Sequence, residues 1–184
     1  MRELLVDNGI QVQQELQKLI AGKIEDAFYY IHKTPLVIPS KTNDVNVEYC
    51  TTNNIEVVSA FNMGGTIVAN TGDIDIAIFK YNGWNIGKDF LSYLRYNLSK
   101  FIPNIKIDGN DLIADNKYKI VSHASINLGS GFIYTVIHIS MNPNIEQIQN
   151  ICSKPMVKIP KGLSDYGFTK YNIITLISGF DINI

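Results

Sequence analysis

The stretch with the most chemical potential runs Gly64-Gly65-Thr66-Ile67-Val68-Ala69-Asn70-Thr71-Gly72-Asp73-Ile74-Asp75-Ile76-Ala77-Ile78-Phe79. Glycine has no Cβ, so the backbone at Gly64 and Gly65 can approach a ligand closely. A β-branched run follows, then an Asn-Thr-Gly-Asp turn, then the alternating Ile-Asp-Ile-Ala-Ile-Phe. That order reads as a β-hairpin. Farther on, Lys117 and Lys119 stand two residues apart, which places both on one face of a strand. Gly109-Asn110-Asp111 is good turn chemistry. His123 and His138 are not spaced as a metal-binding pair and read as core or surface residues. Cys50 and Cys152 lie outside any Cys-x-x-Cys pattern, which argues against a disulfide framework or a zinc site. Free thiols in a reducing cytosol are the simplest reading. Trp84, just after the Asn82-Gly83 turn, reads as a packing residue.

These groups need elements to hold them. Residues 10–21 put Ile10, Val12, Leu16, Leu19 and Ile20 on one helix face, with Asp7 or Asn8 as cap and Gly22 as stop. Residues 27–31 read as a strand, as do 36–38 and 55–58. Residues 43–52 read as a loop with a helical turn. Residues 88–101 place Leu91, Leu94, Leu98 and Phe101 on one helix face, ended by Pro103. Ile105 and Ile107 start another strand. Residues 112–114 and 117–126 read as a hairpin around Asp115-Asn116, and 132–141 as a long strand after a second turn. A short helix is expected from Pro143 to Ile151, a Pro/Gly/Lys loop over 154–167, and a final helix or strand over 171–177. This order predicts an α+β fold of mixed, mainly antiparallel sheets packed with helices.

The chain has 184 residues, 46% hydrophobic and 18% charged, with net charge −1. The length fits one domain with a sizeable core. The balanced charge gives no field for nucleic acid. No apolar run reaches the roughly 18 residues of a membrane span, and no signal peptide opens the sequence. A cytoplasmic protein is therefore expected.

Four segments resemble the lipoate–protein ligase family, within the wider biotin/lipoate ligase fold. Thr34-Pro35-Leu36-Val37-Ile38, with Asn43 and Asn46 beyond, resembles the family's Pro-x-Val-Val-Ile-Gly strand and its Gln-Asn loop. Asn54-Ile55-Glu56-Val57-Val58 through Ile78 is similar to the run Asn-Gly-Ile-Pro-Val-Val-Arg-Arg-x-Ser-Gly-Gly-Gly-Ala-Val-Tyr-His-Asp-x-Gly-Asn-x-Asn. Gly64 and Gly65 fall on its second and third glycines, Asn70 on the Asp, and Asp73 and Asp75 on the two asparagines. Asn110-Asp111-Leu112 followed by Lys119-Ile120-Val121-Ser122-His123-Ala124 resembles Asn-Asp-Leu and Lys-Ile-x-Gly-x-Ala. Lys158-Ile159-Pro160-Lys161-Gly162-Leu163-Ser164 is similar to the Lys-x-x-Ser-Lys-Gly-Val-x-Ser loop.

The resemblance implies a class II synthetase-like catalytic domain over 1–184. It also implies ATP-dependent adenylation of lipoate or a similar medium-chain acid, then transfer to a lysine of a lipoyl carrier domain. Two anions must then meet at one carbon, and an ammonium between them offsets their repulsion. Lys119 takes that role by resemblance, with Lys117 as the rival. Gly64, Gly65 and Thr66 would follow the acyl chain and phosphate by backbone contact. Asn70, Asp73, Asn110, Asp111, Ser122 and Ala124 fall on the remaining substrate and adenylate positions. Asp111 would meet Mg²⁺, which often takes one carboxylate plus phosphates. An apolar slot beside Ile67 and the Lys119 hairpin would hold the acyl tail.

The chain departs from the family pattern at the site itself. Ser59-Ala60 stand where the family has Arg-Arg, Ala69 where it has the histidine, Met63 at the first glycine, and Ser122 at the glycine after the lysine. An arginine fork is a strong anion clamp that Ser-Ala cannot replace. No cysteine stands where the related octanoyltransferases carry their nucleophile, which disfavours thiol transfer, and the Gly-Arg-Gly-Arg-x-Gly loop of biotin ligases is absent. A smaller accessory domain has no room after the ligase-like stretch, and some relatives supply it as a separate chain. Three readings stay open: a ligase, a catalytically weakened binder of acyl groups, nucleotides or carrier domains, and a half-enzyme that needs a partner chain.

Overall fold

The computed structural model describes residues 1–39, 44–58 and 65–182. The strands are β1 (Arg2–Glu3), β2 (Asp26–Ile31), β3 (Leu36–Ile38), β4 (Glu56–Val57), β5 (Ile67–Ala69) and β6 (Ile74–Tyr81). They continue with β7 (Lys106–Asp108), β8 (Asp111–Ala114), β9 (Tyr118–Asn127), β10 (Phe132–Ile139) and β11 (Ile159–Pro160). The helices are α1 (Gly9–Gly22), α2 (Val47–Thr52), α3 (Ile86–Leu98), α4 (Ile145–Ile151) and α5 (Lys170–Ser178). The large sheet has the order β1-β2-β6-β10-β9-β8-β7, with β11 also on β9, and the small sheet the order β4-β3-β5. Pairing is antiparallel except for β1 with β2, β11 with β9 and β3 with β4. This is the mixed, mainly antiparallel α+β architecture expected from the sequence.

Alternation along β6 sorts the core into two layers. Ile74, Ile76 and Ile78 pack with Phe90, Leu91, Leu94 and Leu98 of α3 and with Ile173 and Ile177 of α5. Ala77 and Phe79 face the other way, toward Val12, Leu16 and Leu19 of α1. The side chain of Asn8 caps α1 by accepting from Gln11 N at 3.0 Å, and Lys23 ends it in the left-handed region at φ 48°. The small sheet packs with α2 and α4 through Val37, Cys50, Ile55 and Ile151.

One expectation is corrected. The two β-branched runs flanking the Asn-Thr-Gly-Asp turn do not pair as a hairpin: β5 joins β3 in the small sheet, and β6 joins β2 and β10 in the large one. The reason lies in the turn. Gly72, at φ +93°, donates its N–H to the His32 carbonyl at 2.7 Å, and His32 N donates to the Asp73 carbonyl at 2.9 Å. The connection is bonded to the end of β2, so it carries the chain from one sheet to the other. The segment over 154–167, read as a loop, contains β11 and a 3-10 turn (Leu163–Tyr166). The undecided last element is the helix α5.

Gly162 shows why a small residue stands in that segment. Its φ is −83°, so its backbone is not the constraint. A Cβ there would press on the backbone of Met141, 2.7 Å from the carbonyl carbon, and lie 2.9 Å from Pro143 Cδ. Gly162→Ala is expected to cost roughly 1–3 kcal/mol by overpacking, read as a lower urea midpoint with unchanged m-value. An unchanged midpoint would show that the 158–164 segment yields easily.

Candidate active site

The floor of the site is a row of side chains on the α1 side of the large sheet. The register pairs Tyr30 with Asp75, Asp75 with His138, His138 with Ser122, and Ser122 with Asp111. One polar row therefore crosses β2, β6, β10, β9 and β8. The next row inward is Phe28, Ala77, Val136 and Ala124, which is apolar.

Two adjoining cavities lie over this floor. The first, about 290 Å³, runs between α1 and the sheet, with Val12, Leu16, Leu36, Val58, Val136 and Tyr134 among its walls. The second, about 430 Å³, is bounded by Ile148, Cys152, Lys154, Met156, Lys158 and Pro160. Lys119, Asp111, Ser122, His138, Gly65 and Thr66 line both. Asn110 and Ala124 line the first. Of the residues singled out from sequence, Gly65, Thr66, Asp111, Lys119 and Ser122 thus meet at the junction of the two spaces. Gly64 lies outside the described residues, as does Asn43 of the motif. Asn70 and Asp73 line neither cavity. The Asp73 carboxylate accepts from Asn70 N at 2.8 Å and Met141 N at 2.7 Å, and Asn70 Oδ1 accepts from Asn144 N at 3.2 Å. Both residues hold the turn between the sheets.

The ammonium groups at this site differ. Lys158 is paired with Asp111 at 2.7 Å and Asp108 at 3.1 Å, Lys154 with Asp44 at 2.7 Å, and Lys161 with Asp115 at 3.5 Å. The hydrogen bond to Asp111, against the opposing effect of burial, raises the Lys158 pKa. Lys117 is exposed and lies over the Tyr118 ring. The Lys119 side chain has no ion-pair or hydrogen-bond partner among the described residues, although it sits in a pocket wall. The fit for a bound metal is poor. Asp111 offers one carboxylate, and its Oδ2 is already held by Lys158. That set does not make a Mg²⁺ site by itself. Gly65 is open: a Cβ there would meet nothing within 4 Å.

Sequence reasoning missed the network beneath. Asp75 is fully buried and accepts from Tyr30 Oη at 2.9 Å; His32 Nε2 lies 3.0 Å from its Oδ2 and His138 Nδ1 2.6 Å from its Oδ1. The nitrogen and oxygen atoms of this trio lie within 4.8 Å of one another. The contacts of 2.6 and 3.0 Å are hydrogen bonds and leave no space for an ion between them. Burial alone would raise the Asp75 pKa, but the imidazoles of His32 and His138 outweigh it and hold it well below the carboxylate range. For His138, burial pulls the pKa down, yet the charge and hydrogen bond of Asp75, with Asp73 behind, raise it against the opposing charge of Lys119. His123, by contrast, is pushed down by burial; its Nδ1 lies 3.1 Å from the Asn110 carbonyl, and its ring packs against Gly87 of α3.

The signs of these shifts set a pH window. The raised pKa of His138 contributes stability that is complete below about pH 6.5, its unfolded value, and is lost as pH rises through the folded value. The depressed pKa of Asp75 contributes stability that is complete above about pH 3.9 and is lost as pH falls. The thermal midpoint is therefore expected to decline above roughly pH 6.5. In His138→Gln that decline should flatten while the acid limb remains. Parallel curves for the two proteins would rule out His138 as the source.

No protein-family model matches this sequence, and no curated protein matches it. Solved structures do. A bipartite lipoate protein ligase from Thermoplasma acidophilum, studied with its E2 lipoyl domain, superposes with a TM-score of 0.78 over 97% of this chain and 81% of that chain, at 14% identity. The fold is that of the lipoate–protein ligases. P. falciparum LipL1 in complex with lipoate gives a TM-score of 0.76 at 15% identity, over 96% of this chain and 59% of that one. A lipoate-protein ligase A bound with ATP gives 0.75 at 13% identity, over 97% and 83%. Of the departures from the family motif, Ser59-Ala60 and Met63 lie outside the described residues, and Ser122 lines both cavities. Ala69, at the position of the family histidine, is fully buried against Leu36 and Val58. The two arginines of the chain stand elsewhere: Arg2 is paired with Glu15 and Asp26, and Arg95 is on α3.

Proposed function

We propose that this chain, acting as one catalytic unit over 1–184, activates lipoate or a similar medium-chain acid with ATP and passes the acyl group to a lysine of a lipoyl carrier domain. The observation that carries this reading is the Lys119 ammonium, without an ion-pair or hydrogen-bond partner among the described residues, at the junction of two adjoining cavities. An acyl tail fits the first space, between α1 and the Val136 row, with its carboxylate directed to Lys119. The triphosphate fits the second, beside Lys154 and Lys158. A carboxylate oxygen then attacks the α-phosphorus, the bond to pyrophosphate breaks, and Lys119 neutralises both anions as they meet. The amine of the carrier lysine next attacks the acyl carbon, and AMP leaves with the bonding electrons. The lack of a side chain at Gly65, where a Cβ would meet nothing within 4 Å, lets the chain and phosphate approach closely.

The second reading, a binder that does not ligate, is favoured by the buried alanine at Ala69 and by the lack of an arginine in the described cavity walls. The experiment is pyrophosphate release from ATP by the purified chain, with and without lipoate, octanoate and biotin. Acid-dependent release supports the ligase. Calorimetric binding of an acid with no release supports the binder, and release that returns on adding a partner fraction supports a half-enzyme.

A further inference from the structure

Of the two imidazoles on Asp75, one is sealed and the other reaches the cavities. The His32 side chain is 2% exposed; that of His138 is 9% exposed and lines both cavities beside Lys119. Asp75 is held ionised, so its carboxylate only accepts, and the His138 Nδ1 at 2.6 Å carries the hydrogen between them. In the neutral ring the lone pair then lies on Nε2. That atom has Ser140 Oγ at 3.4 Å and Asp73 Oδ2 at 3.6 Å, both too long for a strong hydrogen bond. Ser140 lines the second cavity, which puts Nε2 at the edge of that space. Tyr30 Oη and His32 Nε2 hold the other carboxylate oxygen of Asp75 at 2.9 and 3.0 Å, so the carboxylate keeps its orientation. An oriented carboxylate behind an imidazole whose far nitrogen meets a cavity is the arrangement of a general base. The charged and titratable groups around the ring are Asp75 and Asp73 from β6 and the turn before it, Lys119 from β9, Asp111 from β8 beyond Ser122, and Tyr30 and His32 across Asp75. Burial lowers the His138 pKa, Asp75 and Asp73 raise it and Lys119 opposes them; the net rise carries it from 6.5 toward neutral pH, where a base works best.

We propose that His138 is the base that takes a proton from the ammonium of the acceptor lysine, with Asp75 as its positioning residue. This rests on the reading of the site as an acyl-transfer centre. The ammonium gives one proton to His138 Nε2, and the lone pair so freed on nitrogen forms the bond to the acyl carbon. The bond from that carbon to the AMP oxygen breaks with its pair on the oxygen, and the second proton leaves the nitrogen to water. An ammonium has no lone pair to receive a proton, so Lys119 does not serve as the base while it neutralises charge. The two residues divide the work: Lys119 meets the anions and His138 the amine.

The test is acyl transfer by the purified full chain, given ATP with lipoate or octanoate, to two acceptors. One is Nα-acetyl-lysinamide, an ammonium near pH 7; the other is hydroxylamine, already a free amine there. Only the first needs a base. In His138→Asn the side-chain NH₂ can still donate to Asp75 while the far nitrogen is gone, and the thermal midpoint checks the fold. The ratio of lysine to hydroxylamine transfer is expected to fall about 10²–10⁴-fold in this variant. In the natural chain the same ratio should rise with pH above about 6.5 and then level off, as His138 loses its proton. An unchanged ratio in His138→Asn overturns the inference and leaves the acyl-transfer reading standing. Where the variant does not fold, the natural chain decides: a ratio that climbs tenfold per pH unit up to about pH 10 follows the free lysine amine alone and overturns it. No transfer to either acceptor by the natural chain overturns the inference and the acyl-transfer reading together.

Discussion

Asp75→Ala is expected to lose about 3–5 kcal/mol, the cost of breaking a buried charge pair from one side. That is a large part of the roughly 5–15 kcal/mol that holds an average domain together. The carboxylate is fully buried and serves three groups: Tyr30 Oη, His32 Nε2 and His138 Nδ1. Removing it strands a phenol and two imidazoles, and leaves His138 with Asp73 at 3.6 Å as its remaining carboxylate. Asp75→Asn is expected to do less harm, because the amide oxygen still accepts one of these bonds, but its NH₂ must then face a donor. Urea titration of the variants reads the effect. The triple His32→Phe, Asp75→Leu, His138→Leu removes every charge of the trio at once and should recover most of the loss. A marginal effect of Asp75→Ala alone would mean that water reaches the cluster.

Lys119→Ala is expected to lower acid-dependent pyrophosphate release by about 10²–10³, the usual cost of removing one group that meets transition-state charge. The change should leave the fold nearly intact, within about 0.5 kcal/mol, since the Lys119 side chain makes no ion pair or hydrogen bond among the described residues. The rival Lys117 is exposed, so Lys117→Ala should leave the rate unchanged. Equal rates for the natural chain and Lys119→Ala would remove the residue from the chemistry. Loss of acid binding without any release in either protein would instead fit a binder that uses Lys119 to hold a carboxylate.

Much of the local structure was legible because it is written in short-range pattern. The cap at Asn8, the Val12–Leu16–Leu19 stripe, the 112–126 hairpin and the helix from Lys88 as far as Leu98 each depend on neighbours within a few residues; Phe101, expected on that helix face, lies beyond its end and is exposed. The lipoate–protein ligase fold was legible from four short segments in order along the chain, one of them matching its motif at constant spacing. Lys119, Asn110, Asp111 and Ser122 were named from these segments; the fold brings Lys119, Asp111 and Ser122 to the cavity junction and Asn110 to the wall of the first cavity. The errors share a cause. The run at 67–79 has the local pattern of a hairpin, and what separates β5 from β6 is a pair of bonds to His32, some forty residues earlier.

The sequence by itself determined most of the elements and the α+β class, because periodicity is a local property, and its resemblance to a family motif pointed to the residues around Lys119. Tertiary structure alone decided the polar row through Tyr30, Asp75, His138 and Ser122, and the place of Lys119 at the cavity junction without a partner among the described residues. Each depends on which strands lie side by side and in what register. A shift of one residue in any strand would turn those side chains to the opposite face.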